Sequence, residues 1–315
     1  MIAYYKKQNG RLVQIESAES GCWINMYGPF APGETLMLSE KLSIDIDFIT
    51  DSLDIDERSR YEYGDGESLI VLKTPVENNG LSDSEALFIT IPIGIILSED
   101  NIITVCAHKN KVIDYFVNTP PKTIDTIDHS NFVLHLFDKN VAIYQEFLKQ
   151  INYKRYAYEK AMYNSSQNQD LKNLLNLQKS LIFFVTNLRT NELLMMKIKR
   201  SNFLKISDEE QTDWLDDIVI ENSQALEMSE LYSNILNGTM DTFASIISNN
   251  LNVVMKRLTS VTIVLMIPTL IASFYGMNVD HLPFAHHPYS FVIVFTFSIV
   301  LALVLTWFFV RKKWF

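Results

Sequence analysis

Near its C-terminus the chain carries two charge-free apolar runs, 258–279 and from about 288 to 310, joined by a short loop that opens Tyr275-Gly276-Met277-Asn278. Each run is near the ~20 residues a helix needs to cross the hydrocarbon core of a bilayer. The pattern predicts a membrane protein with two spans and nearly all its mass on one side.

Charge at the span ends predicts the orientation. Lys256 and Arg257 stand just before the first run, and Arg311, Lys312 and Lys313 follow the second, whereas 278–288 has no Lys or Arg. The positive-inside bias places both basic flanks, and so both termini, in the cytoplasm of a multi-pass cell-membrane protein, with the loop facing out. The N-terminus, Met1-Ile2-Ala3-Tyr4-Tyr5-Lys6, lacks an apolar signal stretch, so no cleavage is expected. Cys22 and Cys106 are the only cysteines, which suits a reducing compartment and argues against a disulfide framework.

The remaining about 255 residues suffice for one or two cored domains. The formal net charge of -10 argues against nucleic acid as a partner, because phosphate binding needs a basic face. It is compatible with cations, although an acidic surface also serves solubility.

Residues 1–120 read as mixed α/β. Strand-like runs lie at 12–15, 22–26, 68–72, 87–91 and 102–105, bounded by turn residues, and 36–53 reads as one helix. Trp23, Tyr4 and Tyr5 read as core. After Pro120-Pro121 no proline occurs until Pro268, and Gly238 is the only glycine between them, which favours long helices through 121–257. Breaks are expected near Asn164-Ser165-Ser166 and Ser201-Asn202. Ser207 with Glu210 reads as a capping box. From there one helix is expected to run to about Tyr275, roughly 100 Å at 1.5 Å per residue. A helix that long cannot be buried by a monomer of this size and asks for partners of its own kind.

Within that helix a polar or small stripe runs Asp241, Ala244, Ser248, Asn252, Met255, Thr259, Thr262, Met266, Thr269, Ser273, beside an apolar face that includes Leu251, Leu258 and Leu265. Thr and Ser are cheap in membrane helices, where they bond back to their own backbone and favour close packing. Continuity with Asp241 and Asn252 favours a pore lining instead. Two spans cannot enclose a pore, so a ring of subunits is expected, with Leu258 and Met266 as narrow apolar rings able to gate by dewetting. The second span is apolar all round and suits an outer, lipid-facing position, with Trp307 and Trp314 near the cytoplasmic interface.

The loop opening, the two C-terminal spans, the basic ending Arg311-Lys312-Lys313-Trp314-Phe315 and the block 266–278 (MIPTLIASFYGMN) together resemble the CorA magnesium transporter family. The resemblance covers the whole chain in architecture and is sharp from about Asp241 onward. It implies a funnel-shaped homopentamer: an α/β cytoplasmic domain (1–120), a helical region and stalk helix (121–257), a pore-lining first span (258–279), an outer loop (280–288), a peripheral second span (289–310) and a basic tail (311–315). It implies Mg2+ influx, with Co2+ or Ni2+ also in view, and no enzymatic activity. Asn252 falls at the family's pore Asn and Asp241 at an acidic ring. Asp217 falls where a regulatory Mg2+ binds, with Asp51 of the adjacent subunit as the other ligand. The loop departs from the family in holding one carboxylate, Asp280, beside His281, His286 and His287. The histidines would charge at mildly acidic pH and repel cations, although solvated loop histidines are the plainer reading.

Magnesium holds its octahedral water shell tightly. A ring of Asn278 amide oxygens and Gly276 carbonyls would recognise that shell, with Gly276 permitting the turn and close approach, Tyr275 holding the loop, and Met277 completing the motif. Thr269, Thr262 and Asn252 would pass the hydrated ion inward. No Walker-type phosphate loop occurs, so no organic cofactor is implied and the driving force is electrochemical, about 4.6 kcal/mol per 100 mV for a divalent ion. Asp45, Asp47, Asp51, Asp54 and Asp56 lack the glycine and terminal glutamate of a calcium-binding EF-hand loop. A membrane-anchored enzyme, a non-conducting ion sensor and a zinc-type carrier of the same fold are the alternatives. The enzyme lacks a nucleophile elbow or H-E-x-x-H motif, the sensor predicts that Asn278 tolerates substitution, and the zinc-type relatives tend to vary the residue that here is Met277.

Overall fold

The computed structural model describes all residues except 1, 9, 65, 165–167, 280, 281, 285, 286 and 313–315. The chain divides into two compact units, Met1–Thr239 and Met240–Phe315.

The first unit is built on a seven-stranded sheet of β1 (Ile2–Gln8), β2 (Arg11–Ile15), β3 (Trp23–Tyr27), β4 (Arg60–Tyr63), β5 (Glu67–Glu77), β6 (Phe88–Ser98) and β7 (Ile102–Cys106). The spatial order is β2-β1-β3-β7-β6-β5-β4. The β3–β7 contact is parallel and the other neighbours are antiparallel. Strands β5 and β6 are almost continuously buried, as a sheet covered on both faces requires.

On one face lie α1 (Glu34–Leu42) and α2 (Ile46–Leu53), whose Leu38, Phe48 and Ile49 join Ile24, Met26, Leu69, Val71, Ile96 and Val105 in one core. On the other lie α3 (Lys111–Asn118), α4 (His129–Asn164) and α5 (Asn168–Ser201). There the fully buried Trp23 ring stacks on Tyr5 at 4.9 Å and meets Phe132 of α4 at 5.4 Å. Tyr4 is half-buried on the sheet face that packs against α1 and α2.

Several local expectations are corrected. The stretch 36–53 is two helices. Ser43, at φ 52, is left-handed, and the Ile44 N–H returns to the Ser39 carbonyl at 3.0 Å. Asp45 then caps α2 by accepting from the Asp47 N–H, the role a short acidic side chain plays at a helix start. Strands β1 and β4 add to the expected set. The cap of the long helix α6 (Glu209–Tyr275) is Asp208, one residue beyond Ser207: its carboxylate accepts from Glu210 N–H at 3.4 Å and its carbonyl from Thr212 N–H at 3.1 Å. Helix α5 stops at Ser201, with Asn202 left-handed at φ 50. Ser165 and Ser166, in the other expected break, lie outside the described residues.

Within the first unit α6 buries Leu215, Ile218, Asn222, Ala225, Ser229 and Leu236, a stripe at steps of three and four. Asn222 donates to the Leu188 carbonyl of α5 at 2.9 Å, and Trp214 meets the His135 ring of α4 edge-on at 4.6 Å.

In the second unit, Phe243 is buried and every residue from 244 to 259 is exposed. Beyond it Ser260 is buried, and Ile263, Val264, Ile267, Pro268, Ile271 and Tyr275 are half-buried. Helix α7 (Ser290–Arg311) follows, free of charged residues until Arg311, whose guanidinium lies 5.2 Å from the Trp307 ring. Both α6 and α7 contain a stretch long and apolar enough to cross a membrane.

Candidate ion pathway

All ten members of the polar stripe, from Asp241 through Ser273, are exposed within the chain. The half-buried positions of α6 lie on the opposite face, where Pro268, Ile271, Ala272 and Tyr275 share a cleft of about 810 Å³ with Phe291, Val294, Phe295 and Ser298 of α7. At 3.6 residues per turn, a helix that turns 264, 267, 271 and 275 one way turns 262, 266, 269 and 273 the other. Most of the stripe is therefore the face that α7 leaves uncovered; Thr269 stands at its edge and also lines the cleft.

Two of the stripe hydroxyls bond back to their own helix. Thr262 donates to the Leu258 carbonyl at 2.8 Å and Thr269 to the Leu265 carbonyl at 3.0 Å. Each hydroxyl proton is thus committed to the helix backbone, and the oxygen keeps acceptor capacity on its outward side. Acceptors so placed suit the outward-pointing hydrogens of a hydrated cation. Met255 and Met266, the larger apolar members, and Leu258 of the neighbouring face are each more than half exposed.

At its far end α6 closes with Gly276 N–H on the Ala272 carbonyl at 3.0 Å and Met277 N–H on the Phe274 carbonyl at 3.3 Å. The Tyr275 hydroxyl donates to the Pro283 carbonyl at 2.9 Å, tying the helix end to the loop. Met277 and Asn278 are exposed. Gly276 is not among the glycines with positive φ, and a Cβ there would meet only ordinary contacts, at 3.5 and 3.6 Å. The expectation that the turn itself needs this glycine is corrected: within one chain nothing compels it. Asp280, His281 and His286 lie outside the described residues. His287 is described, and its Nδ1 accepts from the Tyr289 N–H at 3.2 Å.

The two carboxylates assigned to a regulatory ion sit on different elements of the first unit. Asp217 is exposed on α6, between the inward-facing Leu215 and Ile218, while its neighbour Asp216 is paired with Lys199. Asp51 sits on α2, where its Oδ2 accepts from Arg60 Nη2 at 2.6 Å. Burial raises the Asp51 carboxyl above the usual carboxylate range, Arg60 opposes that rise, and Glu57, Asp47 and Glu62 add to it. Both residues offer hard oxygen donors, as magnesium requires. Arg60 itself escaped the sequence reading. Its signal was the Glu57-Arg58-Ser59-Arg60-Tyr61-Glu62 alternation after α2.

The family model described as "CorA-like Mg2+ transporter protein" matches residues 18–313. The cobalt/magnesium transport protein CorA of Methanocaldococcus jannaschii is 26% identical over 296 residues, covering 93% of this chain and 90% of its own length. That of Thermotoga maritima is 22% identical over 312 residues, covering 96% and 86%. The complete structure of the M. jannaschii CorA magnesium transporter superposes with a TM-score of 0.85 at 23% identity, over 100% of this chain and 99% of that one. The full-length CmaX protein superposes at 0.71 and 16% identity, over 100% and 98%. With the match running through nearly the whole sequence, the chain belongs to the CorA-like Mg2+ transporter family.

Proposed function

We propose that the chain forms a membrane channel that passes Mg2+, with Co2+ or Ni2+ as further cargo, down the electrochemical gradient. The observation that carries this reading is the uninterrupted exposed stripe from Asp241 to Ser273, of which only Thr269 borders the cleft shared with α7. The spans are taken as 258–279 and 289–310, with both termini cytoplasmic by the placement of Lys256, Arg257, Arg311 and Lys312. One exposed stripe and one apolar span cannot wall off water, so the working unit is a ring. The bare run 244–259 asks for the same partners, and family membership supports five copies.

In that ring Asn278 and the Gly276 carbonyl form the outer filter, recognising a hydrated ion through its water shell. Met277 completes the filter motif, and Tyr275 fixes the loop through Pro283. Thr269, Thr262, Thr259, Asn252 and Asp241 then form successive oxygen rings, with Met266, Leu258 and Met255 as apolar constrictions that empty of water when the ring narrows. Asp51 of one subunit and Asp217 of the next hold a regulatory Mg2+. Its loss when cytoplasmic magnesium falls leaves repelling carboxylates and shifts the population toward the wet state.

The test is Mg2+ entry into dye-loaded proteoliposomes with a negative-inside potential. Intact protein is expected to pass Mg2+ and Asn278→Ala to lose at least tenfold in rate, as removal of one polar ring from a filter implies. Equal entry by both proteins would remove the filter assignment. No entry by either would remove the channel.

A further inference from the structure

We propose that Arg60 is a tethered competitor of the regulatory Mg2+ at Asp51, and so sets the magnesium concentration at which the channel closes. This deepens the regulatory reading above and rests on it.

The geometry begins with where the guanidinium is held. Arg60 opens β4, whose pairing with Val71 of β5 fixes its backbone. Asp51 lies on α2, which is fixed over the sheet by the buried Phe48, Ile49 and Ser52. The two anchored elements bring Arg60 Nη2 to 2.6 Å from Asp51 Oδ2. The other edges of the same guanidinium are taken by Glu57, at 3.1 Å from Nε, and by Glu62 at Nη1.

Three carboxylates around one arginine leave the cluster net negative. Arg60 can therefore release Asp51 and still hold two partners, so no lone cation is stranded when a stronger one arrives. A dication that reaches Asp51 replaces a monovalent, delocalised charge with a compact double one. In the ion-free state Arg60 keeps the Asp51 carboxylate neutralised, which softens its repulsion for Asp217 of the adjacent subunit. That softening favours the closed ring and opposes the competition, but it acts on a screened repulsion between subunits, whereas Mg2+ must displace a direct 2.6 Å ion pair; the competition is the larger effect, and Arg60 raises the magnesium concentration needed for closure.

The inference predicts a sign that simple structural damage does not. Loss of a structural residue weakens closure, whereas loss of a competitor strengthens it. The experiment titrates Mg2+ against full-length protein in detergent, reading protection from chymotrypsin, and against the cytoplasmic face of excised proteoliposome patches, reading current. Arg60→Gln is expected to lower the half-effective Mg2+ concentration about threefold in both assays, the scale of a partly exposed ion pair. Arg60→Lys, which keeps the charge but not the fork, is expected to stay nearer the native value. Asp51→Asn is expected to raise the half-effective concentration.

An unchanged or raised value for Arg60→Gln beside a raised one for Asp51→Asn overturns the competitor role and leaves Asp51 as the regulatory ligand. An unchanged value for Asp51→Asn overturns the regulatory reading, and this inference with it. Migration of each variant as the native oligomer on size exclusion separates these outcomes from misfolding.

Discussion

Lys73 is the residue whose burial most needs an explanation. Its side chain reaches from β5 to the Ile55 carbonyl, at 2.5 Å, from a position only 3% exposed. β4 ends its pairing at Val71, so the Lys73 backbone is taken up by helix side chains instead. Its carbonyl accepts from Asn140, Tyr144 and Asn191, and its N–H donates to Asn191. Burial pushes the ammonium down from its usual 10.5 to about 8, against the pull of Asp56, Asp54 and Glu57. The sign of the linkage follows. Between about 8 and 10.5 the unfolded chain binds more protons at this site than the folded one, so stability gains from Lys73 as pH rises through that window. The gain is at most about 3 kcal/mol. Thermal unfolding of native protein and Lys73→Met, compared from pH 7 to 10, is expected to show the variant's advantage largest at pH 7 and shrinking toward pH 10. A difference that does not change with pH would mean that Lys73 titrates as it does in the unfolded chain.

Among the elements, α2 is set by a single close approach. Gly94 of β6 faces it, and a Cβ at that position would lie 1.7 Å from Ser52 Oγ and 2.4 Å from Ser52 Cβ. The hydroxyl is already used on the Phe48 carbonyl, and the Cβ cannot move without the helix. Gly94→Ala is therefore expected to cost about 1–3 kcal/mol by overpacking and to displace α2. Because α2 carries Asp51, the same variant is expected to weaken Mg2+-dependent protection from chymotrypsin. Full protection with normal stability would show that α2 has slack. How much of these elements the sequence discloses follows from the range of the forces involved. The continuity of α6 is legible because it depends on local propensity: no proline and one glycine occur from 209 to 267. The central strands are legible as β-branched runs. β4 is hidden because Arg60-Tyr61-Glu62-Tyr63 carries the charges that protect a sheet edge. The Ser43 break is hidden because it depends on a left-handed residue that no glycine marks.

For the whole molecule, the unexplained surface lies on α6. The run 244–259 exposes Ile246, Ile247, Leu251, Val254 and Leu258, which nothing among the described residues covers, and the polar stripe runs alongside. The spans and the stripe were legible from composition and spacing alone. Asp51's partnership with Arg60 was not, since it joins a helix to an edge strand through tertiary packing. The central claim is that the stripe lines a water-filled path, and Thr262, an exposed stripe member away from the α7 cleft, tests it most directly. Cys22 and Cys106 are both buried, so the native background toward a charged thiol reagent is low. We would install Thr262→Cys and, separately, Ile271→Cys in the cleft shared with α7, and measure Mg2+ flux before and after a positively charged methanethiosulfonate. The account predicts that flux through Thr262→Cys falls at least tenfold on modification, while Ile271→Cys is unaffected. Flux through Thr262→Cys that survives the reagent, or block confined to Ile271→Cys, would contradict it.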